Sequence, residues 1–145
     1  MVRPLFSALI AMFAAGAAAA GAQPADLAGQ WRFHTQPFNG CVIRGEMTIK
    51  RVTDKKYVCA FKTTQDCGGD VGGAEQTCTI DRDGAAVKIR SKVVKFNWNS
   101  GSYAPDDFDL TIVSSSYMKG GFTSVHQTTV DEAFAEFHRG QAPNS

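Results

Sequence analysis

Two-residue alternation of apolar and polar side chains recurs along most of this 145-residue chain. It limits the fold more than any other feature, because only an extended strand sends successive side chains to opposite faces. Residues 41–50 show it most cleanly, with Cys41, Ile43, Met47 and Ile49 on one face and Arg44, Glu46, Thr48 and Lys50 on the other. In 29–34, Trp31 and Phe33 share a face opposite Gln30, Arg32 and His34. Further candidates at 56–64, 75–80, 85–98, 108–114, 117–125 and 132–138 bring the strands to eight. In the long fifth candidate the inward phase runs Val87, Ile89 and then Val94, Phe96 and Trp98. The phase therefore changes around Val93 and Val94, as a β-bulge would produce.

Pairing neighbours as antiparallel hairpins fixes registers. Folding about Asp54 brings Cys41 opposite Cys67, and folding the third candidate on the fourth places Cys59 opposite Cys78. Bridges Cys41–Cys67 and Cys59–Cys78 are expected on that topology, although four cysteines alone allow three connectivities. Asp81-Arg82-Asp83-Gly84 reads as a turn setting Cys78 against Val87 and Ile80 against Ala85. Folding about Tyr103 sets Trp98 against Phe108, Phe96 against Leu110 and Val94 against Ile112. The Ser114-Ser115-Ser116 turn sets Ile112 against Met118 and Phe108 against Phe122. Sequential antiparallel strands leave two edges unless the sheet closes. The expected fold is therefore all-β, an eight-stranded antiparallel up-and-down meander barrel with two disulfides. Its outward face carries Arg44, Lys50, Lys62, Lys88, Arg90 and Lys92. A membrane-spanning barrel would present an apolar band there.

Ahead of the strands, Met1, Val2 and Arg3 lead into an Ala-rich apolar run ending at Ala20, the charged start and apolar middle of a secretory signal. Ala20-Gly21-Ala22 fits the small-x-small cleavage rule, making 1–22 the signal and 23–145 a single β-barrel domain. The run is short for a spanning helix, so no membrane span is expected after cleavage. A periplasmic or secreted location is expected, where disulfides persist. No C-x-x-C pair occurs among the four cysteines, so neither zinc nor another cofactor is expected. Lys and Arg number 15 against 14 Asp and Glu, and losing Arg3 makes them even. That balance disfavours nucleic acid as a partner, because such binders concentrate positive charge. The expected state is a monomer.

Loops alternate between the two ends of a meander. Those at 35–40, 65–74, 99–107 and 126–131 fall at one end, and the shorter connections at 51–55, 81–84 and 115–116 at the other. Binding residues concentrate on longer loops carried by a rigid scaffold, so the long-loop end is the candidate mouth. His34, Phe38, Trp98, Tyr103 and His126 should surround it, with Asp66 and Asp70 on the Gly-rich loop. Aromatic rings with a few polar tips suit a small apolar or amphipathic ligand. Phe96, Trp98 and Phe108 also read as plain core.

Catalysis has little support, and no enzymatic activity is expected. His34, His126 and His138 sit in no metal-binding or nucleophile motif. Ser100, His126 and Asp107 could be grouped by eye as a triad, but such residues are common on any loop. Gly68-Gly69-Asp70-Val71-Gly72-Gly73 opens no helix, so it lacks the backbone cradle of a phosphate loop. The basic row Lys88, Arg90, Lys92 and Lys95 reads as a solvated face balanced by Asp106, Asp107 and Asp109.

Asp26-Leu27-Ala28-Gly29-Gln30-Trp31 resembles the first-strand Gly-x-Trp signature of the calycin barrels, which include lipocalins, avidins and small bacterial inhibitors of secreted metalloproteases. The resemblance is best to the inhibitors, which enter through an acidic residue, Leu and Gly-x-Trp and soon reach a cysteine, here Cys41. This chain carries four cysteines where those inhibitors carry two. The resemblance implies a partner-binding segment ahead of the first strand, here Gln23, Pro24, Ala25 and Asp26, that enters a protease cleft. Gly45-Glu46-Met47-Thr48-Ile49 is similar to an avidin second strand, but without the later Trp-x-Gly-Gln type motif biotin binding is not implied. Three readings stand open: a ligand-binding barrel, an inhibitor of a secreted protease, and an envelope protein with a filled barrel.

Overall fold

Alternation over residues 41–50 becomes a strand whose inward side chains Ile43, Met47 and Ile49 are buried, and the same rule builds the whole wall. A computed structural model describes residues 25–98, 101–124 and 133–140. Its strands are β1 (Gly29–Thr35), β2 (Cys41–Arg51), β3 (Lys56–Cys67), β4 (Asp70–Asp83), β5 (Ala86–Asn97), β6 (Asp106–Ser114), β7 (Tyr117–Ser124) and β8 (Ala133–Arg139). Each pairs antiparallel with the next, and β8 returns to β1 to close the barrel. The expected leader at 1–22, with Gln23, Pro24, Ser100 and His126, lies outside the described residues. Among the described residues no helix is long and apolar enough to cross a membrane.

Both disulfides form as the registers require. Cys41 lies directly across from Cys67 between β2 and β3, and Cys59 across from Cys78 between β3 and β4. The hairpin β6–β7 also keeps its expected register, with Phe108 opposite Phe122 and Ile112 opposite Met118.

Three expectations are corrected. Residues 65–74 are not a long loop: β3 and β4 run on through them and meet at a two-residue turn, Gly68-Gly69. Positive φ values of 66° and 97° at those glycines give the mirror-image turn whose twist matches flanking strands. The β4–β5 register also slides, setting Ile80 against Ile89 and Cys78 against Ser91. β4 continues through Arg82 because that inward guanidinium finds carbonyl acceptors on Gly84 and Ala25, at 3.0 and 2.6 Å. The β5–β6 ladder is short, with Ile89 opposite Phe108 and Val87 opposite Leu110. Beyond it the Asp107 carboxylate takes the Ser91 N–H at 2.8 Å, and β5 parts from β6.

The bulge falls where the phase change required, between the rungs Gln76–Val93 and Glu75–Lys95. Val94 is the extra residue and points outward, 66% exposed, instead of starting the new inward phase. Phe96 and Trp98 keep that phase, since Phe96 pairs with buried Ala74.

Aromatic rings fill the middle of the barrel. Phe33 stacks on Phe137 at 4.8 Å and meets Phe108 edge-on at 5.2 Å, while Phe108 leans on Phe122 at 5.4 Å. All four are essentially buried, and each contributes roughly 2–3 kcal/mol by leaving water. These rings crowd the middle of the barrel, which points to an end for any ligand.

One end is closed by residues 25–28. Arg139 lies 4.5 Å over the Trp31 ring and donates to the carbonyls of Asp26 and Ala28 at 2.7 Å each, and to Ser115 at 2.9 Å. Trp31 Nε1 donates to Leu27 O at 2.9 Å, and Arg82 takes Ala25 O. Every carbonyl of this strap thus has a side-chain donor, and Leu27 plugs the apolar floor. Arg139→Met should lower the unfolding free energy by about 3 kcal/mol, with Arg139→Lys recovering only part because it lacks the planar fork. The urea midpoint at unchanged m-value is the measurement.

Candidate functional site

The opposite end is the mouth, where β1 ends and β2 begins, β3 turns into β4 at 68–69, and β5 ends and β6 begins. There β5 has left β6, and the inner face of its last residues is not fully covered. Phe96 is 43% exposed although it stands in the inward phase. Trp98, half-buried, lays its ring over Gly72, where a Cβ would strike the indole. This explains a glycine inside a strand, which otherwise weakens it. Phe38 comes down from the β1–β2 connection onto Phe122, ring centroids 5.3 Å apart.

Beneath this aromatic lip lies a polar tier. Thr63, Gln76 and Asp106 occupy inward positions on β3, β4 and β6, and all three are buried. Gln76 and Asp106 are joined twice: Gln76 Nε2 donates to Asp106 Oδ2 at 2.6 Å, and Asp106 N donates to Gln76 Oε1 at 2.9 Å. Tyr103, on the β5–β6 connection, sends its hydroxyl to within 3.1 Å of Thr63 Oγ1 and 3.2 Å of Asp106 Oδ2. Thr63 Oγ1 reaches Ala74 O at 3.4 Å. The Ser91 hydroxyl is buried and has no hydrogen-bond partner among the described residues.

Burial decides the chemistry of this tier. Loss of water pushes the Asp106 carboxyl up to about 7, outweighing the hydrogen bonds from Gln76 and Tyr103 that favour its charged form, and the nearby Asp107 adds to the rise. The Tyr103 hydroxyl is likewise held above its ordinary value, by burial first and by Asp106 second. With Asp106 neutral, a chain of donors can run from its proton to Tyr103, on to Thr63 and then to the Ala74 carbonyl.

Of the residues expected around the mouth, Phe38, Trp98 and Tyr103 are there, and His126 lies outside the described residues. His34 is not among them. It stands on the outer face of β1, where Nε2 lies 3.1 Å from Glu136 Oε2. Glu136 also accepts from the Tyr117 hydroxyl at 2.6 Å, and Tyr117 stacks on His138. The Tyr117 bond first, and the two histidines after it, hold the Glu136 carboxyl below its ordinary value. The cause lies in period two: with Trp31 and Phe33 inward, His34 must face out.

Asp66 caps the Gly68-Gly69 turn through Gly69 N at 2.9 Å and so serves the hairpin. Asp107 is committed to Ser91 N, and Ser100 and His126 of the grouped triad lie outside the described residues. In the basic row, Arg90 pairs with Asp109 at 3.0 Å, but Asp106 is turned inward and balances nothing on that face. Ala25 and Asp26 are tied by their carbonyls to Arg82 and Arg139. Among the described residues no group of three His, Cys, Asp or Glu is placed to hold a metal ion.

The polar tier escaped the sequence reading, yet its signal was present. Gln76 falls in phase between Ala74 and Cys78, and Asp106 in phase with Phe108 and Leu110. A polar residue at an inward position marks either a satisfied network or a site.

No known protein family matches this sequence, and no curated protein does. Among solved structures, the chain is similar to a barrel from the de novo design of a fluorescence-activating β-barrel, with 20% identity and a TM-score of 0.55. That match covers 78% of this chain and 93% of the designed one. It is also similar to EF1p2_mFAP2b, in a structure bound to DFHBI, with 11% identity, a TM-score of 0.58, and coverage of 79% and 94%. At these identities the likeness is one of fold.

The raised carboxyl sets a pH dependence. The folded chain keeps a proton on Asp106 that the unfolded chain releases above the ordinary 3.8, so stability is highest in acid and falls as pH rises toward about 7. Each unit in that window costs up to about 1.4 kcal/mol. Asp106→Asn keeps hydrogen-bonding capacity without the titration. Between pH 4.5 and 7 the melting temperature of the wild type should fall relative to that of the variant.

Proposed function

We propose that this chain is an exported, non-enzymatic barrel of the calycin type that holds a small apolar or amphipathic ligand at its mouth. The observation that carries the reading is Phe96, an aromatic side chain in the inward phase left 43% exposed, two residues before Trp98, on the stretch of β5 that runs on beyond its last rung with β6. Exposed apolar surface facing inward at the end of a filled barrel suits a ligand better than it suits solvent. The polar tier below supplies the few directional groups that fix orientation. Two barrels of the same fold are described as fluorescence-activating or bound to DFHBI, which accords with a ligand at such an end. Two disulfides and the Ala-rich leader support export to an oxidising compartment.

The inhibitor reading has less support. A segment that enters a protease cleft offers its backbone to the enzyme, whereas Ala25 and Asp26 have given their carbonyls to Arg82 and Arg139. The filled-barrel reading describes the middle of the molecule but leaves Phe96 without a covering group among the described residues.

Titration with anilinonaphthalene sulfonate tests the proposal. Saturable binding with energy transfer from tryptophan is expected, with transfer reduced in Trp98→Phe to what Trp31 supplies and affinity weakened about ten-fold or more in Phe96→Ser. Absence of saturable binding, or binding indifferent to Phe96, would sink the reading. Native mass spectrometry of protein from its own host then gives the ligand mass.

A further inference from the structure

The seat below the aromatic lip is occupied by a side chain of the protein itself. Tyr103 belongs to a connection, not to a strand, and its ring reaches the polar tier through the opening where β5 and β6 have separated. Its hydroxyl meets two buried partners on different walls, Thr63 on β3 and Asp106 on β6. Near the same tier the Ser91 hydroxyl is buried and has no hydrogen-bond partner among the described residues. The last inward rung of the β5–β6 ladder is Ile89 opposite Phe108, so the next inward residues are Ser91 and Asp106. A buried hydroxyl without a partner is unfavourable and marks a place where a further polar atom fits.

Resting on the ligand-binding reading, we infer that Tyr103 is a stand-in ligand: the native ligand carries a phenol-like ring, which displaces the Tyr103 side chain and passes its own hydroxyl to Thr63 and Asp106. The tier is built for one neutral hydroxyl. Thr63 can give or receive a hydrogen bond and Asp106 accepts one from a hydroxyl, and an apolar ring would leave both unused. Phe96 and Trp98 then cover the apolar part of the incoming molecule, whose edge faces the opening. The Tyr103 side chain leaves the seat as the ligand enters, and so competes with it.

The test uses p-cresol, which is the tyrosine side chain as a free molecule, with toluene as its counterpart without a hydroxyl. In Tyr103→Ala, p-cresol is expected to bind at least ten-fold more tightly than toluene and at least ten-fold more tightly than it binds the wild type, read by calorimetry and by a rise in melting temperature. Adding Asp106→Leu should erase the preference over toluene. Tyr103→Phe keeps the ring and removes only the hydroxyl, and it should admit p-cresol at least three-fold better than the wild type does. Equal binding of p-cresol and toluene to a folded Tyr103→Ala overturns the inference, as does exclusion of both. Should Tyr103→Ala fail to fold, wild-type exclusion of p-cresol persisting unchanged in Tyr103→Phe overturns it. Anilinonaphthalene sulfonate separates the two levels: dye bound at Phe96 with no p-cresol preference removes this inference alone, whereas loss of both removes the ligand-binding reading too.

Discussion

Closure of the barrel through β1 and β8 is the constraint on which everything else rests. Without it the meander is an open sheet with two edges, and its inward aromatic rings face water on one side. The seam is secured by backbone rungs and by Phe33 stacked on Phe137 across it. At its lower end Arg139 covers Trp31 and gathers the strap carbonyls, so the last strand, the first strand and the chain ahead of them are fixed by one guanidinium. A lysine could supply the charge there but not the fork.

That closed, filled lower half makes the open upper half possible. A core crowded with Phe rings tolerates a wall that splits above it, because the split removes rungs only where the interior is already polar. Asp106 and Asp107 divide the work at the split, one turned inward to Gln76, the other replacing a backbone acceptor for Ser91. Adjacent carboxylates in strand phase must face opposite ways, so Asp106 is buried, with its carboxyl pushed up to about 7, while Asp107 turns to the Ser91 N–H. The bulge at Val94 acts on the same stretch, adding one residue to β5 and bringing Phe96 and Trp98 back to the inner face.

How far the sequence could be read depended on distance along the chain. The registers of β2–β3, β3–β4 and β6–β7 were legible, and the cysteines checked the first two, since Cys41–Cys67 and Cys59–Cys78 lie directly across their ladders, whereas the β4–β5 register slid although its Asp-Gly turn was plain. Where composition pointed away from a strand it misled: Gly72, Gly73 and Gln65 read as loop, although the disulfide and the Trp98 ring hold them in extended pairing. Arg82 read as a turn residue because Asp83-Gly84 follows it, and only the carbonyls of Gly84 and Ala25 explain its inward place on β4. Phe38, Trp98 and Tyr103 were placed at the correct end by counting alternate loops, whereas His34 shares that end but faces outward.

By itself the sequence determined the class of fold, the faces of nearly every strand and the pairing of the cysteines, because period two and short turns are local properties of the chain. Only the tertiary structure decided where the wall parts, that the middle is filled, and that Tyr103 meets Thr63 and Asp106 from a connection between strands. Those outcomes depend on burial and on hydrogen-bond partners far apart in sequence. Thr63 and Tyr103, forty residues apart, acquire a relation only once the barrel has closed around them.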